Sequence, residues 1–489
     1  MTIKELLSKY RKKELGCQEY IKECLLKINK FEGSKYGINS VITLNDKESL
    51  KKADLVDKKI KKGGTLGKLE GVPIAVKDVI CTKGIRSTGA SKILDNYIPP
   101  YDATCVKRLK KEGAIIIAKT NCDEFAHGAS GENSAYGPTK NPYDLERVPG
   151  GSSSGPAAIV AYGGAVAAIG TDTGGSIRCP ASFCGLTGLK PTYGRASRYG
   201  LMSMCSSTDT VSPIANSSED VALILSVICG KDGKDSTVSG FEGKDFTRDF
   251  LKRLRGIKVA YVKETMEKGL DPKIKNLFIE SLKKLEKAGA KIDEISLPLS
   301  TEKAVAVYYI ITPSEISSNL AKYDGIKYGM NDNEAQDLDK VYNLSRNKFI
   351  GSESKRRIIL GTFALSSGYY DEYYNKAQKV RRLMKEEAAD AFERFDILAT
   401  PAMPMKPFKL GEKSDPLSMY LTDVNLSYAS LTNICAVSVN CGWIDNDNRE
   451  AVSIIKNSKN KLPVGIQFMA KWWDEETLLR TSYNFEKIL

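Results

Sequence analysis

Apolar residues at Leu6, Leu7 and Tyr10, and again at Tyr20, Ile21, Cys24, Leu25 and Ile28, recur at helical spacing, so the stretch 3–30 predicts one or two amphipathic helices. A further helical window, about 47–62, ends in the lysine-rich run Lys58 to Lys62 and breaks at Gly63 and Gly64. The texture then changes. Val72-Pro73-Ile74-Ala75-Val76 and Ala114-Ile115-Ile116-Ile117-Ala118 are short continuous apolar runs of the kind that buried strands show, and they alternate with helical windows at 103–112 and 218–229. Later strands are predicted at Lys258 to Val262, Asp396 to Thr400, Ala436 to Val439 and Val464 to Phe468, separated by helical windows near 271–288, 354–386 and 474–487. This alternation predicts an α/β protein whose sheet is covered on both faces. No internal repeat and no low-complexity linker interrupts it.

Between 128 and 210 the chain is dense in Gly, Ser, Thr and Asn. Such a stretch is either a flexible linker or a set of turns shaped around a site. The apolar strands on both sides favour turns around a site.

Composition narrows the chemistry. Of 489 residues only one, His127, is a histidine, which excludes a zinc site built on two imidazoles within this chain and routes any Ser-His-Asp triad through that residue. The eleven cysteines, at 17, 24, 81, 105, 122, 179, 184, 205, 229, 435 and 441, include no Cys-x-x-Cys pair and lie mostly in apolar or small-residue segments, as reduced core cysteines do. Met1-Thr2-Ile3-Lys4-Glu5 carries no apolar signal core. The longest apolar stretch, Ala157 to Gly170, is broken by Gly163-Gly164, well short of the ~18–20 residues that span a bilayer. The expectation is a cytoplasmic protein with no membrane partner. The net charge of +13 is spread along the chain. It forms no basic stripe interleaved with aromatics, which disfavours a non-catalytic RNA-binding scaffold.

Two motif matches fail on context. Gly151-Ser152-Ser153-Ser154-Gly155 fits the G-x-S-x-G nucleophile elbow, but Glu146-Arg147-Val148-Pro149-Gly150 is no strand, and His127 precedes the serine instead of following it. The segment Gly63 to Leu69 resembles a phosphate loop only loosely, with Leu69 where Ser or Thr is needed. Three segments remain. Gly71-Val72-Pro73-Ile74-Ala75-Val76-Lys77-Asp78 places a lysine at the end of an apolar strand. Gly150-Gly151-Ser152-Ser153-Ser154-Gly155 opens a small-residue helix, and Thr171-Asp172-Thr173-Gly174-Gly175-Ser176-Ile177-Arg178 sets a serine behind two glycines. Taken singly, these are a solvated charge, a flexible turn and a helix cap. Together they answer how a chain nearly free of histidine activates a serine. A buried lysine loses its ammonium form to desolvation, and lowering its pKa from about 10.4 to near 7–8 costs on the order of 3–4 kcal/mol, within what burial supplies. Glycines before Ser176 let successive N–H groups converge on a developing oxyanion.

With these segments, Lys119-Thr120-Asn121-Cys122-Asp123-Glu124-Phe125-Ala126, Glu132 to Thr139 and Lys190-Pro191-Thr192-Tyr193-Gly194-Arg195, the sequence resembles the amidase signature family over nearly its whole length. The resemblance implies the amidase-signature fold, a large mixed β-sheet with helices on both faces, and one catalytic domain at 63–489 with the helical segment 1–62 packed on it. It implies Ser176 as nucleophile, Ser152 as bridging serine held by a cis peptide, and Lys77 as base. The N–H groups of Thr173, Gly174, Gly175 and Ser176 would form the oxyanion hole, with Asp172 and Arg178 bracing the loop. Tyr308-Tyr309, Ser314 to Leu320, Lys355-Arg356-Arg357-Ile358 and Gly361 to Tyr370 look like the glutamine-using branch that serves tRNA-dependent amidotransferases. For that branch the resemblance implies Arg357 on the glutamine α-carboxylate, Asp423 on its α-ammonium, and the hydroxyl of Tyr308 (or of Tyr309) on the substrate. An arginine fork suits a carboxylate and an acidic side chain an ammonium.

It further implies a heterotrimer with B and C subunits, in which released ammonia converts Glu-tRNA(Gln), or Asp-tRNA(Asn), to the amide form. This chain would hold no metal or cofactor; ATP and Mg²⁺ belong to the B subunit, which also carries most of the tRNA contact. The alternative within the family is a free-standing amidase acting on small or aryl amides. Two departures stand out. Ser154 and Pro156 replace a glycine and a serine usual at the bridging-serine loop. His127 stands where the motif ordinarily continues with methionine, in a core or pocket-lining position that bears on affinity more than on the chemical step.

Overall fold

The two continuous apolar runs of the N-terminal half are strands, and they pair with each other in parallel, from Pro73↔Ile115 to Lys77↔Thr120. The computed structural model describes residues 1–239, 243–248, 250, 253–267, 269–332, 337–455, 458 and 460–489. In chain order its strands are β1 (Val41–Leu44), β2 (Pro73–Lys77), β3 (Ile115–Thr120), β4 (Ala167–Asp172), β5 (Thr187–Lys190), β6 (Thr210–Ala215), β7 (Lys258–Val262), β8 (Lys291–Ile295), β9 (Ile397–Pro401), β10 (Cys435–Asp445) and β11 (Lys461–Ala470). They form one eleven-stranded sheet in the order β1-β3-β2-β4-β6-β5-β10-β11-β9-β7-β8. β2 runs parallel to β3 and β4, and β7 parallel to β8 and β9, while the remaining pairs are antiparallel. The sheet is therefore mixed.

Every residue of β2, β3, β4, β5, β6 and β9 is buried. Since successive side chains of a strand point to opposite faces, both faces of the central sheet are covered. The edge strand β8 instead exposes Lys291, Asp293 and Glu294, charges that discourage edge-to-edge pairing. The N-terminal periodicity resolves into two helices, Ile3–Arg11 and Cys17–Glu32, and all eight apolar positions read from it are buried. The Tyr10 hydroxyl donates to the Gly71 carbonyl at 3.3 Å, tying the first helix to the segment that leads into β2.

One helical window is divided. In place of a single helix over 354–386 there are two, Ser352–Ala364 and Lys376–Arg394, with a π-turn at Asp371–Asn375 between them. The break falls at Ser366-Ser367-Gly368, where Gly368 takes φ +87°. That conformation is open to glycine and stops a helix.

The first of these two helices crosses the helix Glu302–Asn319 at bare backbone. A Cβ added at Gly361 would lie 1.9 Å from the Pro313 carbonyl oxygen. Pro313, inside the Glu302–Asn319 helix, also lacks the N–H that would bond the carbonyl four residues back, at Tyr309. Gly361→Ala is expected to lower stability by at least ~1–3 kcal/mol through overpacking, read as a fall in the denaturation midpoint of the purified chain. An unchanged midpoint would show that this crossing yields without cost.

Candidate active site

β2 and β4 are in register from Ile74↔Ala167 to Val76↔Ile169, so their C-terminal ends lie side by side. Outside the carboxyl ends of parallel strands is where open α/β sheets hold their ligands. Lys77 is the last residue of β2, and Thr171 and Asp172 close β4. The Lys77 side chain is fully buried, and its Nζ lies 2.7 Å from Ser152 Oγ and 2.9 Å from Thr171 Oγ1. Burial pushes its pKa down to about 8, against the opposing influence of Cys122, Asp123, Asp172 and Asp209. About a tenth of the group is then neutral amine at pH 7, and half of it near pH 8.

Ser152 follows a cis peptide bond to Gly151, as the family resemblance implies. Its loop is closely fitted. A Cβ at Gly151 would meet Asp123 Oδ2 at 2.2 Å. The same buried Asp123 accepts the N–H groups of Gly131 and Asn133, and burial raises its pKa to about 6. Ser153 N–H donates to the Ser176 carbonyl at 3.0 Å, and Ser153 Oγ to the Thr171 carbonyl at 3.2 Å. Both serine segments are thereby clamped to one another and to the end of β4. The unusual residues of this loop are accommodated. Ser154 Oγ bonds Thr139 Oγ1 at 3.1 Å while its Cβ fills space left by Gly131, and Pro156 sits in the first turn of the helix Ser154–Ala161, where no N–H is required.

Ser176 is 6 % exposed, unlike the fully buried Lys77 and Ser152, and among the described residues its hydroxyl has no hydrogen-bond partner. The loop before it is braced from below. Asp172 accepts the N–H groups of Gly175 at 3.0 Å and Ile177 at 3.2 Å, and takes two bonds from the Arg178 guanidinium at 3.0 and 2.9 Å. Arg178 completes its five N–H donors on the Leu426 carbonyl, Gln467 Oε1 and Ser430 Oγ. Burial opposes ionisation of Asp172, yet the Arg178 charge and bonds hold its carboxyl below the usual carboxylate range. With the Gly175 amide engaged by Asp172, the loop amides without an acceptor among the described residues are those of Thr173, Gly174 and Ser176. Thr173 Oγ1 is fixed at 2.7 Å from Asp209 Oδ1.

Tyr308 closes over this loop: a Cβ at Gly174 would lie 2.5 Å from its hydroxyl oxygen. Its neighbour Tyr309 turns away and stacks on Tyr420, with ring centroids 3.7 Å apart. Arg357 lies over the Tyr309 ring at 5.4 Å and the Tyr420 ring at 5.8 Å. Its Nε donates to Glu353 Oε1 at 2.8 Å, and its two terminal nitrogens have no hydrogen-bond partner among the described residues. Among the described residues the Oδ1 of buried Asp423 has no hydrogen-bond partner, and burial raises its pKa to about 8 in spite of the Arg357 charge. A cavity of about 260 Å³ is lined by Gly128, Asn133, Glu353, Arg357 and Tyr420. A larger one, about 500 Å³, is lined by Glu264, Leu270, Met405 and Val424 and by none of these site residues.

His127 is fully buried, with Nδ1 2.9 Å from Ser354 Oγ; burial and then the charges of Arg357 and Lys77 push its pKa well down. Thr171, Asp209, Glu353 and Ser354 were not singled out from sequence, although Thr171 stands inside the Gly-Gly-Ser segment and Glu353 one helical turn before Arg357. Among the described residues no group of three or more His, Cys, Asp or Glu side chains could hold a metal ion, and no helix is long and apolar enough to cross a membrane.

The arrangement provides a desolvated amine, two hydroxyls, a turn of unpaired amides and, beside them, one cation and one acidic group. A family model described as Amidase matches residues 21–479. The chain is 46 % identical over 488 residues, covering 100 % of itself and 97 % of the relative, to the A subunit of glutamyl-tRNA(Gln) amidotransferase from Sulfurihydrogenibium sp.. It is 47 % identical, with the same coverage, to the one from Carboxydothermus hydrogenoformans. The crystal structure of the A subunit of glutamyl-tRNA(Gln) amidotransferase from Thermotoga maritima is similar at a TM-score of 0.79 and 36 % identity, covering 100 % of this chain and 94 % of that one. Peptide amidase from Stenotrophomonas maltophilia is similar at 0.82 and 28 %, covering 100 % and 96 %.

Arg178→Met leaves the Asp172 carboxylate buried and unpaired, so unfolding by denaturant is expected to show a loss of about 3–5 kcal/mol. A loss below about 1 kcal/mol would mean that the brace is dispensable.

Proposed function

The chain belongs to the amidase family, and from that premise we propose that it is the glutamine-hydrolysing component of a tRNA-dependent amidotransferase, the counterpart of the A subunits it is similar to. The observation that carries this reading is the buried Lys77 amine on Ser152, at the strand end beside the Ser176 loop. Neutral Lys77 takes a proton from Ser176 by way of Ser152. Ser176 Oγ forms a bond to the side-chain carboxamide carbon of glutamine, and the resulting oxyanion rests on the amides of Thr173, Gly174 and Ser176. The proton returns through the same relay to the nitrogen, the C–N bond breaks, and ammonia departs. Water then hydrolyses the glutamyl ester to glutamate. Arg357 holds the α-carboxylate, Asp423 the α-ammonium, and Tyr308 lies against the reacting end.

Beyond this chain, the proposal places ATP and Mg²⁺ in a B subunit that uses the ammonia on misacylated tRNA, with a C subunit wrapping the pair in the cytoplasm. This chain supplies no cofactor of its own.

Ser176→Ala is expected to abolish ammonia release from glutamine by the chain with its co-purifying partners, and retained turnover would remove the assignment. Lys77→Ala is expected to cut the rate by at least about 10²–10⁴-fold, the contribution of a general base. A protein that purifies alone and hydrolyses simple amides faster than glutamine would point to a free-standing amidase.

The pH dependence follows from two groups that act deprotonated. The amine of Lys77 and the carboxylate of Asp423 each appear as pH rises through about 8, so activity falls as pH drops below that value. On a small amide lacking the ammonium only Lys77 governs, and kcat/KM is expected to change about tenfold per pH unit on the acid side. On glutamine the acid limb is expected to be steeper. A flat profile between pH 6 and 8 would contradict both assignments.

A further inference from the structure

Buried polar atoms are ordinarily paired, and His127 is paired on one side only: its Nε2 is sealed from solvent with no partner among the described residues. The hydrogen bonds behind the ring fix what that atom is. Glu124 lies under Ser354 and accepts the Ser354 hydroxyl at 2.6 Å, the Gly351 N–H at 2.9 Å and the Ser91 hydroxyl. A carboxylate only accepts, so the Ser354 proton points to Glu124 and its oxygen is left to accept from His127 Nδ1. The proton of the imidazole is therefore on Nδ1, and Nε2 carries a lone pair. The ring is kept neutral by burial and by the nearby charges of Arg357 and Lys77. Its position is set by the helix Ser352–Ala364, which brings Ser354 to the ring and, one turn later, Arg357 to the proposed carboxylate site. Gly128, the next residue, lines the same cavity as Arg357.

We propose that His127 is a specificity-determining contact, whose Nε2 accepts a hydrogen bond from an N–H of the bound substrate. Resting on the glutamine reading, this adds to it a neutral acceptor that selects for N–H. Glutamine offers two such donors, the α-ammonium and the side-chain carboxamide. A substrate with neither leaves the acceptor unpaired, which is how a buried polar group discriminates.

Because the chain has a single histidine, ¹⁵N-histidine labelling reports on this imidazole alone. In the unliganded Ser176→Ala protein, one nitrogen is expected to be protonated Nδ1 and the other unprotonated Nε2 at neutral pH; the reverse tautomer would overturn the proposal. Glutamine binding to the same variant is measured in parallel by calorimetry. If glutamine binds, the Nε2 signal is expected to shift on saturation, and binding without any shift overturns the inference while leaving the function standing. If glutamine does not bind, the functional reading fails and this one with it. Kinetically, His127→Met in the Ser176 protein is expected to raise the glutamine KM about two- to tenfold, with kcat less affected, as loss of one hydrogen bond does. A KM effect shared by a small amide lacking the ammonium assigns the donor as the carboxamide; one confined to glutamine assigns the α-ammonium. An unchanged KM for both overturns the contact.

Discussion

The site depends on keeping one amine away from water. An ammonium at the end of a strand is ordinarily solvated, and as such is useless as a base near neutral pH. Here the strand end lies within a sheet covered on both faces, and among the described residues Lys77 meets two hydroxyls within hydrogen-bonding distance. The carboxylates around it are held off by other duties. Asp123 is occupied with the amides of Gly131 and Asn133, beside the bridging-serine loop, and Asp172 is neutralised by Arg178. A carboxylate in direct contact would restore the ammonium and end the basicity. The geometry withholds that partner while leaving the hydroxyl relay in place.

The same separation of tasks organises the loop above. Turning a chain so that several amides converge requires something to hold the turn, and the buried Asp172–Arg178 pair does so from beneath, with every guanidinium donor satisfied. Glycine is required where Tyr308 packs on position 174 and where φ reaches +139° at 175. The tight turn and its brace are both encoded within eight consecutive residues, Thr171 to Arg178.

Much of this was legible in the sequence. Continuous apolar runs mark β2 and β3, and the amphipathic helices near 46–61, 104–111 and 272–287 fall within about two residues of their periodicity windows. Among the strands that escaped notice, β4, β6 and β8 lack that signature. β4 is Ala-Ala-Ile-Gly-Thr-Asp, β6 carries a proline, and β8 is mostly charged. The helix Glu302–Asn319 has buried residues on several sides, so no single apolar stripe announces it. The segments of Lys77, Ser152 and Ser176 stood out because an economy of histidine forces the question of a base, and the family resemblance gave the three residues their roles. Tyr308, Arg357 and Asp423 came only through family resemblance, since a tyrosine in an apolar helix, an arginine in a basic run and a lone aspartate have no pattern of their own. Gly175's amide bond to Asp172 was beyond any reading of residue types, because it depends on how the turn closes.

The bare crossing of the two long helices at Gly361 and Pro313 has a consequence for how the enzyme could diversify. One of these helices carries the ring that presses on the reactive turn, the other the cation proposed to grip the far end of the ligand, and they interlock main chain to main chain with no side chain between to trim or lengthen. Point changes in the lining can alter what a ligand displays, whereas altering the spacing of the two grips means shifting one backbone against the other at this crossing.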